Sequence, residues 1–169
     1  MISEKMAKAL NDQIVAELYS SYLYLQMCAY FSDKNYTGMA NWMKLQSDEE
    51  YQHAMKFFDY LLEVGADVEL GAIEKPDNKW DSPLAVFEAA HKHELQVTKL
   101  INDLTDIALS EKDHATNIFL QWFVTEQVEE VSTVEEIVQK FKMIGDNNAG
   151  LYMLDMELNG RKSEAPTAE

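Results

Sequence analysis

Glu50 and His53 stand three residues apart. On a helix that spacing leaves their side chains about 60° apart around the axis, close enough for both to grip one cation. Three more glutamates, Glu17, Glu94 and Glu130, fall on stretches with the same three-and-four spacing of apolar residues, and Gln127 precedes Glu130 by one turn. The inner seams read Leu10, Ile14, Glu17, Ser21, Tyr24, Cys28, Phe31; Met39, Met43, Gln46, Glu50, His53, Phe57, Tyr60, Val64; Phe87, Ala90, Glu94, Val97, Ile101, Leu104, Ala108; and Leu120, Phe123, Gln127, Glu130, Val134, Ile137, Phe141, Ile144. Each is mostly apolar and each is broken by carboxylate near its middle. No lysine or arginine sits on them. Four carboxylates in one apolar interior need shared protons, cationic partners or metal ions. Metal is the simplest compensation. Oxygen ligands with one imidazole suit iron or manganese better than copper or a thiolate-type zinc site. The other reading is a structural helical module whose carboxylates stay protonated and which binds no metal.

Four long elements must hold these residues. Glycine and proline are nearly absent from residues 5–33, 39–64, 84–111 and 114–144, which are rich in good helix formers. Ser32 to Gly38 separates the first pair, with Thr37 as the expected N-cap. Ser82-Pro83 opens the third helix as a cap followed by proline at the first helical position. A fifth, short helix is expected over Ala149 to Leu158. Gly65 to Ser82 forms a link of about eighteen residues, long for a compact domain. Extended, it reaches roughly 60 Å, enough to run the length of a helix of about 42 Å. Short joints make helices one and two antiparallel, and three and four likewise. The expected fold is therefore all-α, a four-helix bundle with one long crossover, the ferritin-like topology, with a short fifth C-terminal helix. This connectivity brings Glu17, Glu50, Glu94 and Glu130 to one level near mid-bundle. One domain is expected over 1–160, with a disordered tail over 161–169.

Composition narrows the function. The 169 residues carry 14 Lys plus Arg against 30 Asp plus Glu, a net charge of −16. Such a surface repels phosphate backbones and anionic lipid, so neither nucleic acid nor membrane is an expected partner. The lone cysteine, Cys28, excludes an intrachain disulfide and a cysteine-built metal site, and it favours a reducing, cytoplasmic setting. Neither a secretory signal nor a bilayer-spanning run is read in the chain.

The order of motifs resembles the bacterial non-haem ferritins from about Met6 to Leu158. The resemblance is carried by Glu17-Leu18-Tyr19-Ser20-Ser21, Glu49-Glu50-x-x-His53, His93-Glu94, Phe119-Leu120-Gln121-Trp122, Glu126-Gln127-x-Glu129-Glu130 and Gly150-Leu151-Tyr152. It implies a di-iron ferroxidase centre. Glu17, Glu50 and His53 would hold one iron; Glu50, Glu94 and Glu130 would hold the other, with Glu50 bridging. Gln127 would hydrogen-bond at the centre. A third iron site would use Glu49, Glu126, Glu129 and Glu130. Tyr24 would sit beside the centre, and Trp122 would occupy a nearby aromatic position, for packing or for electron transfer. Without the resemblance, Glu49, Glu126 and Glu129 read as a solvated acidic patch.

The resemblance further implies iron storage: Fe(II) is oxidised by dioxygen and deposited as Fe(III) mineral in a twenty-four-subunit shell, with the fifth helix lining one class of symmetry axis. Specific departures set other relatives aside. Haem-bearing bacterioferritins carry a second Glu-x-x-His where this chain has Gln127-x-x-Glu130, and a methionine where it has Tyr51 or Gln52, so no haem is expected. Rubrerythrin-like proteins need four further cysteines. DNA-coating mini-ferritins lack the fifth helix. His91, His93 and His114 are expected at the surface or beside the ligands rather than on iron. The rival within the same fold is a di-iron enzyme that oxidises an organic substrate, stays small and stores nothing.

Overall fold

The computed structural model describes residues 2–163. It contains α1 (Glu4–Asp33), α2 (Thr37–Glu63), α3 (Pro83–Glu111), α4 (His114–Ile144) and α5 (Asn148–Leu158), and no strand among the described residues. The helix pairs α1–α2 and α3–α4 pack along their lengths, α1 also meets α3, and α5 lies against α2 and α4. The four-helix bundle, its long crossover and its short fifth helix are those expected.

Local chemistry sets the ends. Ser3 caps α1 through the Met6 amide, Ser82 caps α3 through Ala85 with Pro83 behind it, Asp113 caps α4 through Thr116, and Asn147 caps α5. Gly65, with φ of 71°, turns the chain out of α2. The start of α2 departs from expectation. Thr37 is not its N-cap: Tyr36 occupies that position without a side-chain cap. Instead Asp155, on α5, accepts from the Met39 amide at 2.9 Å. One orphan donor of α2 is thus satisfied by a distant helix. The approach is close enough that a Cβ on Gly38 would stand 1.7 Å from the Asp155 carbonyl oxygen.

The core is divided. One apolar cluster contains Met27, Phe31, Met39, Met43, Phe87, Ile137 and Phe141. The other contains Met6, Leu10, Ile14, Phe57, Leu61, Ile101 and Leu120. On every helix of the bundle the residues between the two clusters include a buried polar side chain: Glu17 on α1, Gln46, Glu50 and His53 on α2, Glu94 on α3, Gln127 and Glu130 on α4. The seams on α3 and α4 follow the reading above, with Ile144 only half-buried. On α1 the structure buries Ser20 and Met27 where Ser21 and Cys28 were expected, and near the end of α2 Leu61 replaces Tyr60 and Val64. On α1 the steps run three then four from Glu17, so Glu17, Tyr24 and Phe31 keep their places and only the residues between them differ. On α2 two successive steps of four carry the inward face from His53 through Phe57 to Leu61.

Candidate metal centre

The polar layer between the two apolar clusters brings together residues from all four bundle helices. Glu17, Glu50 and His53 each offer a ligand atom within 4.8 Å of the others, and so do Glu50, Glu94 and Glu130. Glu50 belongs to both groups. All five side chains are buried.

Their hydrogen bonds leave particular atoms bare. Gln13 Nε2 donates to Glu17 Oε1 at 2.8 Å. Gln46 Nε2 donates to Glu50 Oε1 at 3.1 Å and to Glu130 Oε2 at 2.6 Å. The Tyr24 hydroxyl donates to Glu94 Oε1. The second oxygens of Glu17, Glu50 and Glu94 have no hydrogen-bond partner. Buried polar atoms are almost always satisfied. Three orphaned carboxylate oxygens in one layer, beside an imidazole, are the donor set a hard cation takes.

Electrostatics agree. Burial, reinforced by the charge on Glu50, raises Glu17 to about 8 and Glu130 to about 8. Burial, then Glu50 and Glu130, pushes Glu94 well above the carboxylate range. Burial would lift Glu50 as well, but the His53 imidazole, 3.4 Å away, and the Gln46 amide outweigh it and hold Glu50 low. Burial disfavours a charged His53, yet Glu50, Glu17 and Glu130 raise it to about 9. Without metal, the layer is a protonated set around one Glu50–His53 ion pair. A divalent ion that displaces those protons relieves several desolvated groups together.

Beside this layer, Glu49, Glu126, Glu129, Glu130, Thr133 and Arg161 line a cavity of about 40 Å³. Glu126 and Glu130 also approach His53 within 4.8 Å. The structure therefore gathers the residues expected for a third site, with Glu130 facing both places.

The family profile described as the ferritin-like domain matches residues 7–144. The chain belongs to the ferritin family. It is 47% identical over 161 residues to the bacterial non-heme ferritin of Bacteroides fragilis, covering 95% of this chain and 100% of that one. It is 39% identical over 155 residues to the bacterial non-heme ferritin of Campylobacter jejuni, covering 92% and 93%. Among solved structures, an open-pore ferritin from the archaeon Archaeoglobus fulgidus superposes with a TM-score of 0.95 at 51% identity, covering 96% of this chain and 99% of that one.

Against this ferritin fold, the outlying residues can be placed. Tyr24 is fully buried and touches the layer through Glu94. The Trp122 ring lies 5.3 Å from that of His53, edge-on, with Lys56 above it at 4.4 Å. Gln127 is buried and accepts from Thr98 at 2.9 Å. His91, His93 and His114 belong to none of the ligand groups among the described residues. His93 instead pairs with Ser20 at 2.7 Å and packs edge-on to Tyr24. The residues that sequence reasoning missed are the donors: Gln13, Thr98 and Arg161. Gln46 was on the expected seam but carried no role. Arg161, assigned to the tail, donates to Gln46 at 2.8 Å and pairs with Glu49. Within that assignment, 164–169 lie outside the described residues.

Proposed function

We infer that this ferritin stores iron and oxidises it on the way in. The observation that carries the reading is the pair of ligand groups sharing Glu50, each closed to within 4.8 Å and lined by orphaned carboxylate oxygens. Iron is the substrate and the cargo. Glu17, Glu50 and His53 hold one Fe(II), and Glu50, Glu94 and Glu130 hold its neighbour. Dioxygen takes one electron from each ion. The carboxylates favour the product, because the harder Fe(III) gains more from anionic oxygen. Glu50, held deprotonated, bridges the two, while Gln46 and Gln13 keep the other carboxylate oxygens turned away from the metals. Glu49, Glu126, Glu129 and Glu130 form an outer site for a third ion, supported by the cavity they line.

Storage needs a shell, and we assign the chain to a twenty-four-subunit one. Support comes from its large apolar side chains left on the surface, among them Tyr152, Met153 and Met156 of α5 and the adjoining Met143. Surfaces of that kind bury themselves against copies of the same chain. Iron, dioxygen and other copies are the partners. The net charge of −16 disfavours nucleic acid, no described helix is long and apolar enough to cross a membrane, and Tyr51 and Gln52 stand where haem-bearing relatives place methionine. The lone Cys28 fits a cytoplasmic setting.

Size-exclusion chromatography followed by aerobic Fe(II) far above two ions per chain tests the reading. Soluble ferric absorbance that grows in the large-shell fraction is expected. Oxidation that stops at two ions per chain, in a small particle, indicates a non-storage di-iron enzyme. No Fe(II) binding at all indicates a structural module.

A further inference from the structure

Arg161 lies three residues beyond the end of α5, yet its side chain is held on three sides. Nη1 donates to Gln46 Oε1 at 2.8 Å, Nη2 pairs with Glu49 Oε2, and the guanidinium stands 4.6 Å above the Trp42 ring. It lines the same small cavity as Glu49, Glu126, Glu129 and Glu130. A guanidinium has donors only and keeps its charge at any working pH. It therefore fixes which end of the Gln46 amide faces it. The oxygen must point to Arg161, and the NH2 group is left to donate to Glu50 and Glu130.

We propose that Arg161 is a tethered cation that competes with iron for the outer site and, through Gln46, positions Glu130 for the buried pair. This rests on the reading of Glu49, Glu126, Glu129 and Glu130 as that outer site. In a cavity of about 40 Å³, a divalent ion and a guanidinium cannot both take Glu49 without mutual repulsion. A third ion must push the arginine aside. The fork to Glu49 and Gln46 and the stack on Trp42 favour the arginine's resting place. The outer site is thus set to hold iron weakly and to fill last. When it fills, Gln46 loses the donor that orients it, so occupancy outside is felt at Glu130 inside. Arg161 touches no ligand atom of the buried pair and is a positioning residue there.

Anaerobic Fe(II) titration calorimetry on assembled apoprotein shells tests this, comparing the parent with Arg161→Gln, Arg161→Lys and, as a charge control, Lys162→Gln at the exposed neighbouring position. The parent should bind two ions per chain tightly and a third weakly. Arg161→Gln should tighten the third by about tenfold, the worth of one charge-assisted contact. It should weaken the first two by more than about twofold, because Gln46 is no longer oriented toward Glu130; an unchanged first pair would overturn the positioning role. Arg161→Lys keeps the charge but not the fork, and should fall between. Lys162→Gln should match the parent. A parent that binds two ions and an Arg161→Gln variant that binds three would also support the proposal. If three ions bind in every protein and Arg161→Gln leaves the third unchanged, or moves it no more than Lys162→Gln does, the role of Arg161 is overturned and the outer site stands. If neither parent nor Arg161→Gln binds more than two, the outer site itself falls and the proposal with it. Should Arg161→Gln fail to assemble, the shift expected of Arg161→Lys decides alone.

Discussion

Tyr24 on α1 donates its hydroxyl hydrogen to Glu94 on α3, and both side chains are wholly shut off from solvent. The bond occupies one glutamate oxygen and leaves the other without a partner. Burial, then Glu94 itself, pushes the Tyr24 hydroxyl well above its usual range, so it stays protonated and keeps donating. The same bond favours the Glu94 carboxylate, but burial, then Glu50 and Glu130, outweigh it and hold Glu94 well above its usual range.

Proton release should accompany iron binding. Glu17 and Glu130 sit near 8, His53 near 9, and Glu94 well above its usual range. At pH 7 anaerobic Fe(II) should therefore liberate about four protons per chain, one from each of these groups. A pH-stat titration measures this, and Glu17→Gln should release one fewer. Release of no protons would mean the layer is already ionised.

Apoprotein stability should fall as pH rises. Glu17 and Glu130 are raised from 4.5 to about 8, so the folded chain holds protons that the unfolded chain has lost. Their contribution is complete below about 4.5 and is lost by about 8. His53, raised from 6.5 to about 9, adds a loss over that higher range. Glu50, held low, acts in the opposite sense, but only below 4.5. Thermal melts of metal-free shells should show Tm dropping between pH 5 and 9, less steeply in Glu17→Gln. Anaerobic Fe(II) should restore it at pH 7. A flat profile with no rescue by metal would refute the assignment.

Ligand variants should separate the two sites. Glu17→Ala and His53→Ala should slow the first rapid oxidation by at least about tenfold while shells still assemble, because both side chains lie within one subunit. Glu126→Ala and Glu129→Ala should leave that phase nearly unchanged and alter oxygen stoichiometry and later turnover. Glu130→Ala should damage both. Stopped-flow oxidation with oxygen-uptake measurement reads all five; parent-like kinetics in Glu17→Ala and His53→Ala would remove those two from the centre.

Gly38→Ala should cost about 1–3 kcal/mol, as other forced overpacking does. The added carbon meets the Asp155 backbone rather than a side chain that could turn away. The docking of α5 and the capping of α2 should weaken together. Melting and size-exclusion profiles of the variant measure it, and a parent-like Tm with intact shells would show that the helices can part without cost.

The candidate ligands were legible in the sequence because helical period places Glu17, Glu50, His53, Glu94 and Glu130 on inward seams, and the long link fixes their common level. Glu50 and Glu130 remain buried because the same seams are apolar above and below them. The donors were harder to read. Gln13 and Thr98 flank the seam residues Ile14 and Val97, and nothing in a linear pattern separates a flanking residue that bends inward from one that faces water. Arg161 follows the last helix and reaches Glu49 only because α5 folds back onto α2. Asp155 was hidden for the same reason: a cap supplied from another helix leaves no trace near the helix it caps. Ser20 and Met27 take the places read for Ser21 and Cys28 because a three-four alternation does not say which step comes first between Glu17, Tyr24 and Phe31.

The layer that divides the core draws on every long helix: Glu17 from the first, Glu50 and His53 from the second, Glu94 from the third and Glu130 from the fourth. The Glu17–Glu50–His53 group is complete within the α1–α2 hairpin, whereas the Glu50–Glu94–Glu130 group needs α2, α3 and α4 together. A nascent chain emerging helix by helix therefore gains one set of candidate ligands with its second helix but the adjoining set only when its last long helix is in register, and loss of α2 alone removes both. A pair of irons able to meet dioxygen side by side is thereby confined to molecules that have passed their own inspection, with completed tertiary structure acting as the licence.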